Sequence, residues 1–130
     1  MPGESPRTGA RLVAAWREDR DRFASAEAVQ ALVGTSPVAY QRRKLGRVQL
    51  CRACAYYFRQ TLHRLAFASL RPCGWVCADA AARRARGHGH PAVLRAWANR
   101  RGQMLFGMWN DQAPYARAQF WAAQARHRTA

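Results

Sequence analysis

Residues 49–69 read QLCRACAYYFRQTLHRLAFAS, and this stretch decides the fold class because its apolar side chains recur at steps of three and four residues. That spacing places them on one face of a helix. The stripe consists of Leu50, Cys54, Tyr57 with Phe58, Leu62, Leu65 and Ser69. Arg52, Arg59 and His63 fall largely off the stripe. The pattern therefore predicts a long amphipathic helix from about Gln49 to Ser69.

Two shorter helices are predicted before this stretch. Ser5-Pro6 is an N-cap followed by proline at the first helical position, and it opens a helix that runs to about Trp16. Ser25 caps a second helix, Ala26–Val33, which Gly34 can end because glycine adopts the left-handed conformation common after a helix.

The rest of the chain continues the helical pattern. It is predicted to contain a charged link at Asp19–Arg22, a helix at Gly74–Arg86, a loop at Gly87–His90, a helix from Pro91 that Gly102 interrupts, and a last helix from Pro114. The predicted fold class is therefore all-α, with a helix-hairpin-helix-like opening followed by a bundle of about four helices. We assign residues 1–125 to this one domain and residues 126–130 to a frayed tail.

One basic segment, residues 35–48, lacks the helical pattern and is predicted to be an extended loop or a short hairpin. Its cations can follow a phosphate backbone, while Tyr40 can stack on a base. The alternative is a solvated charged loop, but we favour binding because the charge density peaks here. The predicted nucleic-acid-binding residues are Tyr40, Arg42, Arg43, Lys44, Arg47, Arg52 and Arg59.

The overall charge points to a polyanionic partner. The chain has 22 Lys and Arg against 7 Asp and Glu, a formal net charge of +15, and Lys44 is its only lysine. Arginine binds phosphate through paired hydrogen bonds and stacks on bases, although a GC-rich genome would give the same composition. No window approaches the roughly 20 apolar residues of a spanning helix, and no secretory signal is present. We therefore expect a cytoplasmic, nucleoid-associated protein with reduced cysteines and no membrane partner.

Four cysteines raise the question of zinc. Cys51-x2-Cys54 and Cys73-x3-Cys77 have a spacing that can form a four-thiolate site. Against zinc, Cys51 and Cys54 lie inside the predicted helix, where a buried cysteine is more often a small hydrophobic residue. We therefore predict no metal ligands in this chain and keep a small zinc-dependent regulator as an alternative.

Carboxylates are too few for a nuclease centre of the two-metal type, which needs several of them to hold its cations. Five of the seven lie in the first 27 residues, and they are Glu4, Glu18, Asp19, Asp21 and Glu27. Only Asp79 and Asp111 remain for the rest of the chain. The sequence therefore predicts neither a catalytic centre nor a cofactor in this chain.

Several blocks occur in an order known from one family. Met1–Leu12 is similar to the P-G-x-G-P-x-T-A opening of the carboxy-terminal domain of the insertion-sequence one-ten transposases, which are DEDD-type, Piv-invertase-like recombinases. Arg22–Val38 resembles the R-F-x-S-A-x-x-L-x-A-x-A-G-x-A-P block of that domain. Shorter matches are Arg52–Cys54, Leu62–His63, Ala66–Arg71, Ala82–Gly87, Leu94–Arg100 and Pro114–Tyr115. The blocks are collinear and span nearly the whole chain.

The resemblance implies a division of labour. In this family the DEDD carboxylates lie in an amino-terminal domain with a ribonuclease-H-like fold, so a divalent metal would belong to that domain. The carboxy-terminal domain engages DNA and a guiding bridge RNA, and it supplies a serine that becomes covalently linked to DNA. The resemblance therefore implies DNA and a bridge RNA as partners, together with an amino-terminal domain. Independently of the resemblance, we expect a homo-oligomer as the alternative. Trp97, Met108, Trp109, Phe120 and Trp121 would offer apolar surface for an oligomer.

Three departures from the family pattern bear on activity. Ser5 stands where the opening has a second glycine, and a side chain there obstructs close approach of a phosphate. The family's Q-S-G-K falls on Gln41–Lys44, so that the serine position is Arg42, which cannot form a phosphoserine. Met1 also lies at the domain boundary. We therefore expect a truncated or decayed fragment without independent catalysis. An active recombinase subunit that uses Ser36 with a separate DEDD domain is the alternative.

Overall fold

The computed structural model describes residues 1, 3–17, 20–43, 45–50, 53–119, 122, 125 and 126. Within them the chain forms α1 (Pro6–Trp16), a 3₁₀ helix (Arg20–Arg22), α2 (Ala26–Val33), β1 (Pro37–Arg42), β2 (Leu45–Leu50), α3 (Tyr56–Ser69), α4 (Gly74–Ala85) and α5 (His90–Asp111). Apart from the antiparallel β1–β2 hairpin, the elements are helical, which confirms the all-α class. Of the two forms predicted for the basic segment, the structure shows the hairpin.

The first two helices have the predicted ends because local capping chemistry fixes them. The Ser5 hydroxyl accepts a hydrogen bond from the Thr8 amide at 3.3 Å, and the Ser25 hydroxyl accepts one from the Ala28 amide at 3.2 Å. Gly34 ends α2 in the left-handed conformation, with φ of 71°. These bonds satisfy amides that have no intrahelical acceptor. The predicted charged link between α1 and α2 contains the 3₁₀ helix instead of being only a connection.

The predicted start of the long helix at Gln49 is wrong. Residues 45–50 pair with β1 in the hairpin, and α3 begins only at Tyr56. Cys54 therefore lies in a bend before the helix. The argument against zinc from a helical position does not apply to this cysteine. Cross-strand pairing explains the difference, because hydrogen bonding to β1 competes with the helical pattern over the shared residues.

The predicted interruption at Gly102 is also wrong, since α5 runs through it without a break. Gly102 is buried, and a Cβ atom there would lie 3.7 Å from Leu62 Cδ1 and 3.9 Å from Val29 Cγ1. The glycine thus lies where α5 packs on α2 and α3. One glycine costs a helix only about 1 kcal/mol relative to alanine, which packing of this kind outweighs. At the carboxyl end, residues 113–116 are not helical, residues 117–119 are, and 127–130 lie outside the described residues.

Tryptophan side chains organise the core. Trp16 is 3 % exposed and packs edge-on against Phe23 and Phe58, with ring centroids at 5.3 and 5.6 Å, and also against Trp109 at 5.8 Å. It therefore joins α1, the segment before α2, α3 and α5. Trp97 is 1 % exposed, so the expectation that it adds to an exposed oligomer surface is wrong. Phe120 and Trp121 lie outside the described residues.

Gly3 explains the glycine of the opening motif in structural terms. Its φ of +81° lies in the left-handed region, and a Cβ atom there would be 2.6 Å from the Ser69 backbone nitrogen. A side chain would therefore clash with the end of α3 as well as strain the backbone. The opening segment is held against α3, and α1 begins directly after it.

Candidate nucleic-acid interface

The hairpin carries most of the predicted binding residues. Its register pairs Tyr40 with Arg47 and Arg42 with Leu45, so that Arg43 lies in the turn between the two strands. Arg43 is exposed and has φ of 54°, a left-handed conformation that such turns favour and that normally selects glycine or asparagine. The tip of the hairpin therefore carries an arginine at a position where glycine or asparagine would adopt the backbone conformation at a lower energy.

The structure describes only part of the predicted site. The side chains of Tyr40, Arg42 and Arg47, and the whole of Lys44 and Arg52, lie outside the described residues. Their role in binding therefore stays a prediction.

The alternative nucleophile Ser36 and the family's serine position are well separated. Ser36 directly precedes β1, whereas Arg42 is the last residue of that strand. Six residues of extended chain place them about 20 Å apart. A reaction at Ser36 would therefore need the DNA at the base of the hairpin and not at its tip.

The base of the hairpin is held by hydrogen bonds to the helices. The Thr35 hydroxyl donates to Asn99 Oδ1 of α5 at 2.8 Å, and the Thr35 amide donates to the Gln30 carbonyl at 3.1 Å. On the other side, the Ala55 amide donates to the Leu32 carbonyl at 2.8 Å. The hairpin is thus fixed where it leaves the helical body, while Val38, Gln41 and Arg43 are exposed.

A groove of about 490 Å³ lies next to this base, between α1, α2 and the start of α3. We call it the arginine–tyrosine groove after five of the residues that line it, namely Arg11, Arg17, Arg22, Tyr56 and Tyr57. The other described lining residues are Ala14, Ala15, Leu32, Ala55, Phe58 and Thr61, so none of the described residues that line it is acidic. Three guanidinium groups around one groove favour a ligand with negative charge.

The three arginines are positioned in different ways. Arg11 lies exposed on α1, and Arg17 ends that helix in the left-handed conformation, with φ of 56°. The Arg22 guanidinium lies over the Phe23 ring at 5.3 Å. Its Nη1 atom is buried without a hydrogen-bond partner among the described residues. A ligand with acceptor oxygens would supply that partner.

The two tyrosines are unusually open for aromatic residues on a helix. Tyr56 is 54 % exposed and Tyr57 is 81 % exposed, and their rings meet edge-on at 5.9 Å. Tyr56 is held in place, because Gln60 donates a hydrogen bond to its hydroxyl at 2.6 Å and the Arg59 guanidinium lies 5.7 Å from its ring centroid. The predicted binding residue Arg59 is therefore a neighbour of the groove. Tyr57 has a ring face available to a ligand.

The start of α3 adds positive charge to the groove. Its N-cap is Ala55, and no side chain of the described residues caps the helix or places a carboxylate in its first turn. The amides of the first turn have no intrahelical acceptor, and the amino end of a helix carries partial positive charge. Residues 55–58 line the groove, so that these amides lie near any ligand that it holds.

A second, shallower depression of about 370 Å³ continues along α3 and is lined by Tyr56, Arg59, Gln60, His63 and Arg64. Burial is the largest cause that lowers the pKa of His63, and the charges of Arg59 and Arg95 lower it further. The His63 Nε2 atom is buried without a hydrogen-bond partner in the described part of the chain. A phosphate bound here would offset the arginine charges and favour the protonated imidazole.

We expect His63 to give opposite pH dependences for stability and binding. Because its pKa is below the unfolded value of about 6.5, the contribution of neutral His63 to stability is present above that pH and is lost as the pH falls. Binding of a polyanion should instead take up a proton, so affinity should rise over the same range. Thermal unfolding and DNA titrations at constant ionic strength, compared between the wild type and His63→Gln, measure both. Identical pH profiles for the two proteins would contradict a role for His63.

The cysteines do not form a recognisable metal site in the described residues, where no three His, Cys, Asp or Glu side chains come together. Cys73 is buried at the start of α4, Cys77 is exposed, and Cys54 is half-buried. Cys51 lies outside the described residues, and metal analysis of the purified protein tests the zinc alternative. None of the described helices is both long and apolar enough to cross a bilayer.

Together these features define a class of protein, a strongly basic, mostly helical domain with arginine and tyrosine exposed on one surface. Residues 1–85 match the sequence model of the Transposase IS116/IS110/IS902 family. Because 85 of the 130 residues are matched, the chain belongs to this family, and it corresponds to the carboxy-terminal domain of these transposases. No curated protein matches the chain.

The match confirms the resemblance to the insertion-sequence one-ten transposases. It covers α1 to α4, and with them the hairpin and the arginine–tyrosine groove. The similarity noted at Leu94–Arg100 and Pro114–Tyr115 lies beyond the matched residues and stays a prediction.

Proposed function

We propose that this transposase domain binds DNA through contacts of its arginines with phosphates, and that it does not catalyse strand exchange by itself. The observation that carries the proposal is the arginine–tyrosine groove, in which three guanidinium groups and an uncapped helix end meet without a carboxylate among the described lining residues. Phosphates are the common ligand for such a combination.

The charge of the whole chain supports the same partner. With 22 cations and 7 carboxylates, at least 15 cations have no carboxylate of their own. Asp79, one of the few acids after residue 27, already pairs with Arg83 at 2.7 Å. DNA supplies closely spaced charges that can neutralise such a surface.

The absence of independent catalysis is proposed from the residues that the reaction of the family would need. The serine position is Arg42, and a guanidinium cannot form a covalent bond to the DNA phosphate. The seven carboxylates are too few and too concentrated near the amino end for a two-metal centre. Catalysis would therefore depend on DEDD residues from outside these 130 residues.

The proposal is tested by comparing three variants in titrations of a labelled DNA duplex at about 0.1 M salt. The hairpin variant changes Arg42, Arg43 and Arg47 to Ala, and the groove variant combines Arg11→Gln with Arg17→Gly. Glycine suits position 17 because the φ of 56° there is left-handed. A control variant removes three exposed arginines outside both regions, namely Arg71, Arg84 and Arg86.

We expect affinity to fall roughly tenfold for each phosphate contact removed at this salt concentration. The hairpin variant should lose most, the groove variant next, and the control variant least. Unchanged binding by the hairpin variant would remove the hairpin from the interface. If the wild-type protein does not bind the duplex at all, the proposed function is wrong.

A further inference from the structure

We infer that the arginine–tyrosine groove holds a single unpaired nucleotide, with its base stacked on Tyr57 and its phosphate at the start of α3. This inference rests on the proposed function, and it adds that the groove distinguishes an unpaired base from a paired one. The juxtaposition that carries it is an exposed aromatic ring beside a cationic groove of about 490 Å³.

The aromatic part argues for an unpaired base. Tyr57 is 81 % exposed, and Tyr56 meets it edge-on. In a duplex the faces of the bases are covered by their stacked neighbours, so a protein ring can stack only on a base that has left the helix. Phosphate binding alone needs arginine and amides, and it gives no reason for an open tyrosine face.

The phosphate part lies at the start of α3, next to the tyrosines. The uncapped start of α3 offers amides without intrahelical acceptors, and Arg17 and Arg22 line the groove beside it. The buried Nη1 of Arg22 has no acceptor among the described residues, and a phosphate oxygen would provide one. Such a site places one phosphate and leaves the attached base within reach of the tyrosines.

The size of the groove agrees with one nucleotide. Pockets for small ligands span about 300–1,000 Å³, which includes the volume found here. A stacked base pair cannot enter, because both of its bases are held between their neighbours. The ligand chemistry is therefore one unstacked base with its phosphate, and it can come from DNA or from RNA.

The test compares binding of a DNA duplex that carries one bulged base with binding of the same duplex fully paired, and repeats both with RNA. A 2-aminopurine at the bulge reports stacking through its fluorescence. The proteins are the wild type, the double variant of Tyr56→Leu and Tyr57→Leu, and Phe67→Leu as a matched control. Phe67 is an exposed aromatic residue of α3, 56 % exposed, that does not line the groove.

We expect the wild type and Phe67→Leu to prefer the bulged duplex by about tenfold or more, and to change the fluorescence of the bulged base. The double tyrosine variant should bind the bulged and the paired duplex with equal affinity, and it should unfold at a temperature close to that of the wild type. The nucleic acid with the larger preference identifies the source. Equal affinity of the wild type for bulged and paired duplexes, or a preference that survives loss of both tyrosines, would overturn the inference. Failure of the wild type to bind any duplex would instead refute the proposed function.

Discussion

Raising the salt concentration from about 50 to 200 mM is expected to lower the affinity of this domain for duplex DNA by roughly 10³–10⁵-fold. The reason is that each arginine that neutralises a phosphate releases a condensed counterion, and bulk salt opposes this release. A chain with 21 arginines and a net charge of +15 has ample cations for the roughly 6–10 contacts that give such a slope.

The measurement is the slope of log affinity against log salt concentration, which is about −0.9 for each neutralised phosphate. The groove variant should reduce the magnitude of the slope by the contribution of about two phosphate contacts, and the hairpin variant by that of about three. The control variant should have a slope close to that of the wild type. A nearly flat dependence would mean that apolar contacts dominate and that the arginines are only a solvated surface.

The ends of the helices show how far the sequence could predict the structure. The ends of α1 and α2 follow from Ser5, Ser25 and Gly34, because a cap depends only on residues within a few positions of itself. The start of α3 depends on the pairing of two strands, which is a contact between different segments of the chain. The apolar residues that are shared by both patterns did not distinguish them, and the helix was predicted seven residues too early.

The proposed binding surface combines residues that the sequence indicated, namely Arg59 and the basic run of the hairpin, with others that it did not. Arg11, Arg17 and Arg22 were missed because they come from segments that only the fold brings together with α3. A local signal did exist for Tyr57. Phe58 alone continues the buried row to Leu62 and Leu65, so the adjacent Tyr57 is not needed to complete that face.

Two of the three non-glycine residues with positive φ in the described part of the chain are arginines of this surface. Arg17 ends α1 beside the groove, and Arg43 forms the tip of the hairpin. A left-handed conformation costs an ordinary residue about 1–2 kcal/mol, so glycine would be the more stable choice at both positions. Strained residues of this kind concentrate at functional sites. The presence of arginine at both positions agrees with a requirement for charge and not for stability.

Replacement of Trp16 by alanine is expected to have the largest effect on stability, a loss of about 3–5 kcal/mol in the free energy of unfolding. Trp16 is 3 % exposed and its ring contacts Phe23, Phe58 and Trp109, so the substitution opens a cavity between three helices. Urea unfolding followed by circular dichroism measures the loss. Trp16→Phe is the matched control, because the buried Nε1 of Trp16 has no partner among the described residues and the smaller ring gives up no hydrogen bond.

The same substitution should affect binding through the groove more than binding through the hairpin. Phe23 follows Arg22, and Phe58 follows Tyr57, so the two aromatic neighbours of Trp16 set the positions of two groove residues. The hairpin is also held by a contact outside the groove, the hydrogen bond from Thr35 to Asn99. In conditions where Trp16→Ala remains folded, it should therefore lose the preference for a bulged base while it keeps the salt-dependent binding of paired duplex. A loss of less than about 1 kcal/mol, with the preference intact, would show that Trp16 does not position the groove.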